Sequence, residues 1–296
     1  MHRAAISGTL VLLAALAASA PGPARGEAGP DAALRESVHD VPVPEAGATI
    51  VVTSFRPPGA GRFPWIVLSH GTAVTKEANL NLARYRPLNP VREWLRRGYA
   101  VFVPMRRGYG SKTAAHLGDD YGSCKKPDFR RAGDGAALDL LATVAWAKTQ
   151  RDVDPERWLL VGQSAGGFAS IYTASKRPAG LVAVLAFAPG RGGDPKTRPG
   201  EPCGSEQLAA LYASIAPQIE VPVLWFYAAN DQYLGPRVQH LWFDRFRGAG
   251  GRGELVVVPA FPQAYGHGVF PSAAGTPLWT AAVGRFFKAQ GLALPF

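Results

Sequence analysis

A serine near the middle of the chain lies in a Gly-x-Ser-x-Gly pattern. Ser164 is flanked by Gly162 and Gly166, an apolar run ends just before the pattern, and a helix-like segment follows it. Such a serine stands at the apex of a sharp strand-to-helix turn, where side chains two positions to either side would collide and glycine avoids the collision. The pattern predicts a nucleophilic serine and therefore acyl transfer through a covalent intermediate.

A serine hydroxyl needs a base, and two histidines follow Ser164 in the chain. His240 lies in an amphipathic helical segment, whereas His267 lies in a Gly-His-Gly loop after the last strand-like run. Sites of this type have the chain order serine, acid, histidine. Asp231 directly follows an apolar run and is predicted to orient His267 by accepting its Nδ1 proton. Asp194, which follows the preceding strand-like run, is the alternative acid.

Two backbone N–H groups are the candidate oxyanion donors. The first belongs to Ala165, at a helix start where N–H groups have no intrahelical partner. The second donor of such sites comes from the loop after an early strand. The segment Ser69-His70-Gly71-Thr72 fits that place, and the N–H of Thr72 is the candidate. We expect His70 to form structural hydrogen bonds rather than to act as a base.

The sequence carries no signal for a metal or a cofactor. It contains no His-Glu-x-x-His pattern, no closely paired cysteines, and no Gly-x-Gly-x-x-Gly between a strand and a helix. We therefore expect a reaction that needs neither a metal ion nor a cofactor.

Strand-like and helix-like segments alternate along the chain. Apolar runs typical of strands cover residues 48–55, 64–69, 99–104, 157–162, 181–188, 221–228 and 254–258. Helical spacing covers residues 90–97, 134–148, 165–176, 205–215, 236–247 and 277–288. The alternation predicts one α/β domain, residues 29–296, with a mostly parallel central sheet of about eight strands and helices on both faces. Such sheets bind ligands beyond the carboxyl ends of their strands.

The first 28 residues have the pattern of a signal peptide. Arg3 precedes an apolar run over residues 4–20, which is short for a membrane span. This pattern predicts a secreted or periplasmic protein, with an uncleaved anchor as the alternative. No later segment is apolar enough to span a bilayer. In an exported protein Cys124 and Cys203 are expected to form a disulfide, and two free thiols are the alternative.

The net charge of +10 could attract an anionic polymer. Its basic clusters are scattered, however, and no basic helix or patch of interleaved aromatic and basic residues is present. We therefore interpret the charge as a solvated arginine-rich surface and expect no nucleic-acid partner.

In this order the motifs resemble the α/β-hydrolase superfamily. They are most similar to dienelactone hydrolases, related esterases and prolyl-oligopeptidase-type catalytic domains. The resemblance begins near residue 50 and rests on Ser69-His70-Gly71-Thr72, Gly98-Tyr99-Ala100-Val101, Arg107-Gly108-Tyr109-Gly110, residues 134–146, residues 162–167, Asn230-Asp231 and Gly266-His267-Gly268. True dienelactone hydrolases carry cysteine where this chain has Ser164, so dienelactone is not the expected substrate.

The resemblance implies an α/β-hydrolase fold and a serine hydrolase that cleaves small-molecule carboxylic esters through an acyl-enzyme, and the signal-peptide pattern predicts that it is exported. Ser164, Asp231 and His267 would be catalytic, and Thr72 and Ala165 would bind the oxyanion. The alternatives are a small peptidase or amidase, an acyltransferase of the same fold, and a non-catalytic binding protein of the cell envelope.

Overall fold

The computed structural model of the protein describes residues 29–111 and 116–296. The predicted signal peptide lies outside the described residues. Eight strands form the central sheet, and two further short strands pair with each other as a separate hairpin. The strands are β1 (Ser37–Val43), β2 (Ala48–Phe55), β3 (Phe63–Ser69), β4 (Ala100–Pro104), β5 (Gly122–Ser123), β6 (Lys126–Pro127), β7 (Val153–Gln163), β8 (Leu181–Phe187), β9 (Val223–Ala228) and β10 (Gly253–Val258).

The order of the strands in the central sheet is β1-β2-β4-β3-β7-β8-β9-β10. β2 is antiparallel to both of its neighbours, and every other adjacent pair is parallel. The predicted mostly parallel sheet of about eight strands is therefore confirmed. The central strands are buried on both faces, which explains their nearly continuous apolar sequences.

Seven α-helices are found among the described residues. They are α1 (Lys76–Leu80), α2 (Leu88–Arg96), α3 (Phe129–Lys148), α4 (Ala165–Ala174), α5 (Ser205–Ile215), α6 (Pro236–Gly248) and α7 (Thr276–Ala289). Side chains of α3, α4, α5 and α6 pack in the hydrophobic core on one face of the sheet, and side chains of α2 and α7 pack in the core on the other. None of the described helices has the length and apolar character needed to cross a bilayer.

Helix α3 begins five residues before its predicted start at Asp134. Asp128 caps it by accepting a hydrogen bond from the N–H of Arg131 at 2.9 Å. The first turns contain Gly133 and Gly135, which break the apolar pattern. A Cβ on Gly133 would lie 2.4 Å from the ring of Tyr172, so this glycine allows α3 to pack closely against α4.

Two long connections leave the carboxyl edge of the sheet, one after β4 and one after β8. Cys124 in the first and Cys203 in the second form the predicted disulfide, with 5.3 Å between their Cα atoms. Asp119 and Arg191, also one from each connection, form a buried ion pair at 2.8 Å. The two connections are therefore joined both covalently and by charge.

Candidate active site

Ser164 occupies a sharp turn between β7 and α4. Its backbone has φ 56° and ψ −123°, a region that residues with a Cβ rarely adopt. A Cβ on Gly162 would lie 2.1 Å from the carbonyl oxygen of Gly166, and a Cβ on Gly166 would lie 2.1 Å from that of Ser69. The N–H of Ser164 donates to the carbonyl of Phe187 in β8 at 2.8 Å. Both glycines are thus sterically required, and the sheet fixes the strained turn.

His267 and Asp231 form a hydrogen-bonded pair. The Nδ1 of His267 lies 2.7 Å from Oδ2 of Asp231. The other carboxylate oxygen, Oδ1, accepts the N–H groups of Tyr233 at 2.8 Å and Leu234 at 3.0 Å, and the side chain of Asp231 is fully buried. A carboxylate in this position keeps the proton on Nδ1 and leaves the lone pair of Nε2 available. Nε2 has no hydrogen-bond partner among the described residues, and His267 lines the same cleft as Ser164.

The other candidate acid and base lie elsewhere. The carboxylate of Asp194 forms hydrogen bonds within its own loop, where it accepts the hydroxyl of Thr197 at 2.6 Å and the N–H of Lys196 at 3.0 Å. His240 is exposed on α6. The structure therefore brings Ser164 and His267 together with Asp231 and leaves Asp194 and His240 outside the cleft.

The loop that carries His267 is held against its neighbours. Gly266 has φ 82°, and a Cβ there would lie 2.6 Å from the carbonyl oxygen of Asn230. The Nε2 group of Gln163, the residue before the serine, donates to the backbone carbonyl of His267 at 3.1 Å. The glycine allows close packing against the Asp231 loop, and Gln163 links the candidate base to the serine turn.

Tyr233 is a site residue that the sequence did not indicate. Its ring stacks on the imidazole of His267, with centroids 4.5 Å apart and an angle of 27° between the planes. In the sequence, only its position two residues after Asp231 points to a role at the site, because no pattern of residue types marks a partner that stacks on a histidine.

The candidate oxyanion residues lie beside the serine. A Cβ on Gly71 would lie 3.2 Å from the Cβ of Ser164, so the loop that ends at Thr72 runs close to the candidate nucleophile. Thr72 and Ser164 line the same cleft, and Ala165 is the first residue of α4. The geometry is compatible with two N–H donors on one side of the serine.

His70 is fully buried and makes structural hydrogen bonds, as expected. Its Nε2 accepts the N–H of Arg106 at 3.1 Å, and its Nδ1 donates to the carbonyl of Gly71 at 2.7 Å. Burial and the nearby Arg106 lower the pKa of His70 to about 3. The ring is therefore neutral at physiological pH and holds one fixed tautomer.

The cleft has two parts, on either side of Thr72. A cavity of about 240 Å³ adjoins Ser164 and His267 and is also lined by Leu82, Tyr85 and Tyr233. A second cavity of about 230 Å³ is more polar. Its lining includes Tyr109, Tyr121, Asp120 and Arg191. A smaller cavity of about 30 Å³, lined by Ser164 and Arg191 among others, shares lining residues with both. Among the described residues no group of three or more His, Cys, Asp or Glu side chains could hold a metal ion.

The family model for the X-Pro dipeptidyl-peptidase (S15 family) matches residues 46–197 of the chain. No curated protein gives a significant match.

Solved structures with the same fold include a dienelactone hydrolase from Anabaena variabilis, with a TM-score of 0.54 and 18% identity, covering 86% of this chain and 97% of that one. An esterase from Pyrococcus furiosus has a TM-score of 0.58 and 16% identity, with 87% and 91% covered. An acylaminoacyl peptidase from Pyrococcus horikoshii has a TM-score of 0.59 and 13% identity; the match covers 88% of this chain but only 42% of that peptidase.

These similarities agree with the strand order, and the predicted resemblance to the dienelactone hydrolase and esterase branch is confirmed. At identities below 20% the structural matches establish the fold alone. The family match, in contrast, extends over more than half of the chain and includes the turn at Ser164. The chain is therefore a hydrolase of the α/β-hydrolase fold and belongs to the X-Pro dipeptidyl-peptidase (S15) family.

Proposed function

We propose that the protein is an exported serine hydrolase that cleaves carboxylic esters of small molecules through an acyl-enzyme. The observation that carries this proposal is the 2.7 Å bond between His267 and Asp231, which leaves Nε2 of His267 free in the cleft that Ser164 lines. This arrangement supplies a nucleophile, a base and an acid that fixes the tautomer of the base.

In the proposed reaction the Oγ of Ser164 attacks the ester carbonyl while Nε2 of His267 takes the hydroxyl proton. The N–H groups of Thr72 and Ala165 hold the oxyanion that forms. His267 then gives its proton to the departing alkoxide, which leaves as the alcohol. A water molecule, deprotonated in turn by His267, then attacks the acyl-enzyme. The carboxylic acid is released as His267 returns the proton to the Oγ of Ser164.

The two parts of the cleft suit the two halves of an ester. His267 must reach the leaving oxygen, so the alcohol part belongs in the cavity beside Leu82 and Tyr85, which His267 also lines. The acyl part then extends past Thr72 toward the cavity lined by Tyr109 and Arg191.

Export to the periplasm or the cell exterior is part of the proposal. The disulfide between Cys124 and Cys203 is compatible with an oxidising compartment.

A second candidate function is cleavage of amide or peptide bonds. The matching family model is named for X-Pro dipeptidyl-peptidases, and one structural neighbour is an acylaminoacyl peptidase. The same nucleophile, base and oxyanion donors would act on either bond, because both reactions form a tetrahedral intermediate.

The test is a rate comparison on 4-nitrophenyl esters of increasing acyl length and on dipeptide 4-nitroanilides, including X-Pro compounds. Ser164→Ala should lower kcat by at least about 10³-fold and abolish labelling by a fluorophosphonate probe. Ser170→Ala is the matched control, because Ser170 is a buried serine in the helix that follows Ser164, and its hydroxyl has no hydrogen-bond partner within the described part of the chain. Turnover by Ser164→Ala equal to that of the wild type would exclude the proposed nucleophile.

A further inference from the structure

We propose that Arg106 is a positioning residue for the oxyanion-binding loop, residues 69–72. This inference rests on the proposed function, because it assigns Arg106 an effect on the reaction through the backbone N–H of Thr72. Arg106 lines neither part of the cleft, and its side chain is fully buried. Its contacts are all with the protein itself.

Arg106 makes three hydrogen bonds to the residues that precede Thr72 in this loop. Its Nη1 donates to the hydroxyl of Ser69 and to the carbonyl of His70, each at 2.7 Å. Its backbone N–H donates to Nε2 of His70 at 3.1 Å, and His70 in turn donates to the carbonyl of Gly71 at 2.7 Å. The guanidinium therefore holds Ser69 and the carbonyl of His70, and the backbone N–H of the same residue, which a substitution leaves in place, holds the ring that bonds Gly71.

The guanidinium of Arg106 is itself held in place by a buried carboxylate. Its Nε donates to the buried carboxylate of Asp119 at 3.1 Å, which also accepts Nη1 of Arg191 at 2.8 Å and the hydroxyl of Tyr109 at 2.8 Å. Burial alone would raise the pKa of Asp119, but Arg191 and Arg106 together hold that pKa well below its usual range. The carboxylate is therefore ionised throughout the pH range in which the protein would act.

An oxyanion hole lowers the barrier only if its donors are already oriented before negative charge develops. The loop contains Gly71, which has no side chain to restrict it, so its orientation must come from outside the loop. Two buried guanidinium groups also share one buried carboxylate, which leaves a surplus of positive charge behind the loop. Both effects favour the charged transition state over the neutral substrate and predict a change in kcat rather than in KM.

The chain offers a matched control in the next residue. Arg107 also forms an ion pair with a buried carboxylate, since its Nε and its backbone N–H both donate to Asp139. Its Nη2 donates to the carbonyl of Gly135, its backbone carbonyl accepts the N–H of Gly118, and none of these bonds involves the oxyanion-binding loop. Arg107→Lys and Arg106→Lys therefore both disturb a buried ion pair, but only the second disturbs the loop.

The experiment measures kcat, KM and melting temperature for Arg106→Lys, Arg106→Met, Arg107→Lys and Arg107→Met on the ester that the wild type cleaves fastest. We expect the Arg106 variants to lower kcat by about 10²-fold or more, the usual effect of losing one oxyanion donor, with KM within about threefold of the wild type. They should weaken binding of a trifluoromethyl ketone inhibitor, which forms the tetrahedral adduct, by the same factor. The Arg107 variants should keep kcat within about threefold.

The proposal would be overturned if the Arg106 and Arg107 variants lost kcat to the same extent, or if each loss of kcat simply followed the fall in melting temperature. If the Arg106 variants do not fold, Ser69→Ala replaces them, because it removes one acceptor of Arg106 and leaves the ion pair intact. It should lower kcat by about tenfold at unchanged KM, consistent with the loss of one hydrogen bond to a charged group, and an unchanged kcat would overturn the proposal. Failure of the proposed function itself is distinct, since the wild type would then be no faster than Ser164→Ala.

Discussion

The strained backbone of Ser164 should make the protein less stable than it would be with glycine at that position. At φ 56° and ψ −123° any residue with a Cβ is strained, whereas glycine adopts this conformation readily. Ser164→Gly removes the strain together with the hydroxyl. Ser164→Ala removes only the hydroxyl and is therefore the reference against which the glycine variant must be compared.

The size of the effect follows from two opposing terms. Backbone strain of this kind amounts to about 1–3 kcal/mol. Glycine also gives the unfolded chain more conformational freedom, which offsets about 0.5–1 kcal/mol of the gain. We expect Ser164→Gly to be more stable than Ser164→Ala by about 0.5–2 kcal/mol. A protein of this length shifts its Tm by about 2 °C per kcal/mol, so the expected difference is about 1–4 °C.

The assay is thermal and urea unfolding of both variants, monitored by circular dichroism. Ser170→Gly is the control for the general effect of glycine, because Ser170 lies inside helix α4 and the substitution there should destabilise by about 1 kcal/mol. The reasoning is refuted if Ser164→Gly is no more stable than Ser164→Ala.

Three further predictions concern the disulfide, a buried acid and the histidine loop. Replacing both Cys124 and Cys203 by serine should lower the free energy of unfolding by about 4.5 kcal/mol, the chain-entropy value for a 79-residue separation, and denaturation of the reduced wild type should match the variant. Burial raises the pKa of Asp139 to about 6 despite its bonds from Arg107. A raised pKa in the folded state means that stability is lost as pH rises from about 4 to 7, by about 3 kcal/mol, so urea midpoints should fall over this range in the wild type but not in Asp139→Asn. Gly266→Ala should displace His267, the proposed base, and lower kcat by about 10²-fold, and a wild-type rate would contradict the packing argument.

The strands could be predicted where burial on both faces makes the sequence continuously apolar. The run over residues 48–55 coincides with β2, and the other runs fall within two residues of their observed carboxyl ends. The apolar pattern does not indicate β1, because only Val41 and Val43 are buried in it, and they alternate with polar residues and Pro42. In an edge strand that is buried on one face, and only near its carboxyl end, too few residues are apolar for the pattern to be recognised.

The site could be predicted only in its motif-bearing parts. The turn at Ser164 has a local signature because glycine is sterically required on both sides of it. The buried network has none, because Asp119 and Arg191 are 72 residues apart and meet only after two long connections fold together. Charged residues in such connections look like surface residues in the sequence, and only the structure shows that these two are buried.

The connections after β4 and β8 are joined by both a disulfide and a buried ion pair, and this constrains how the substrate range of this protein can be altered. Exchanging the connection after β4 for one that lacks Cys124 and Asp119 would leave Cys203 as a lone thiol and the buried Arg191 without its counter-charge. A buried charge without its partner destabilises a protein by about 3–5 kcal/mol. Chimeras should therefore transplant the two segments as a pair, and natural variants of one segment should be compatible only with co-inherited variants of the other.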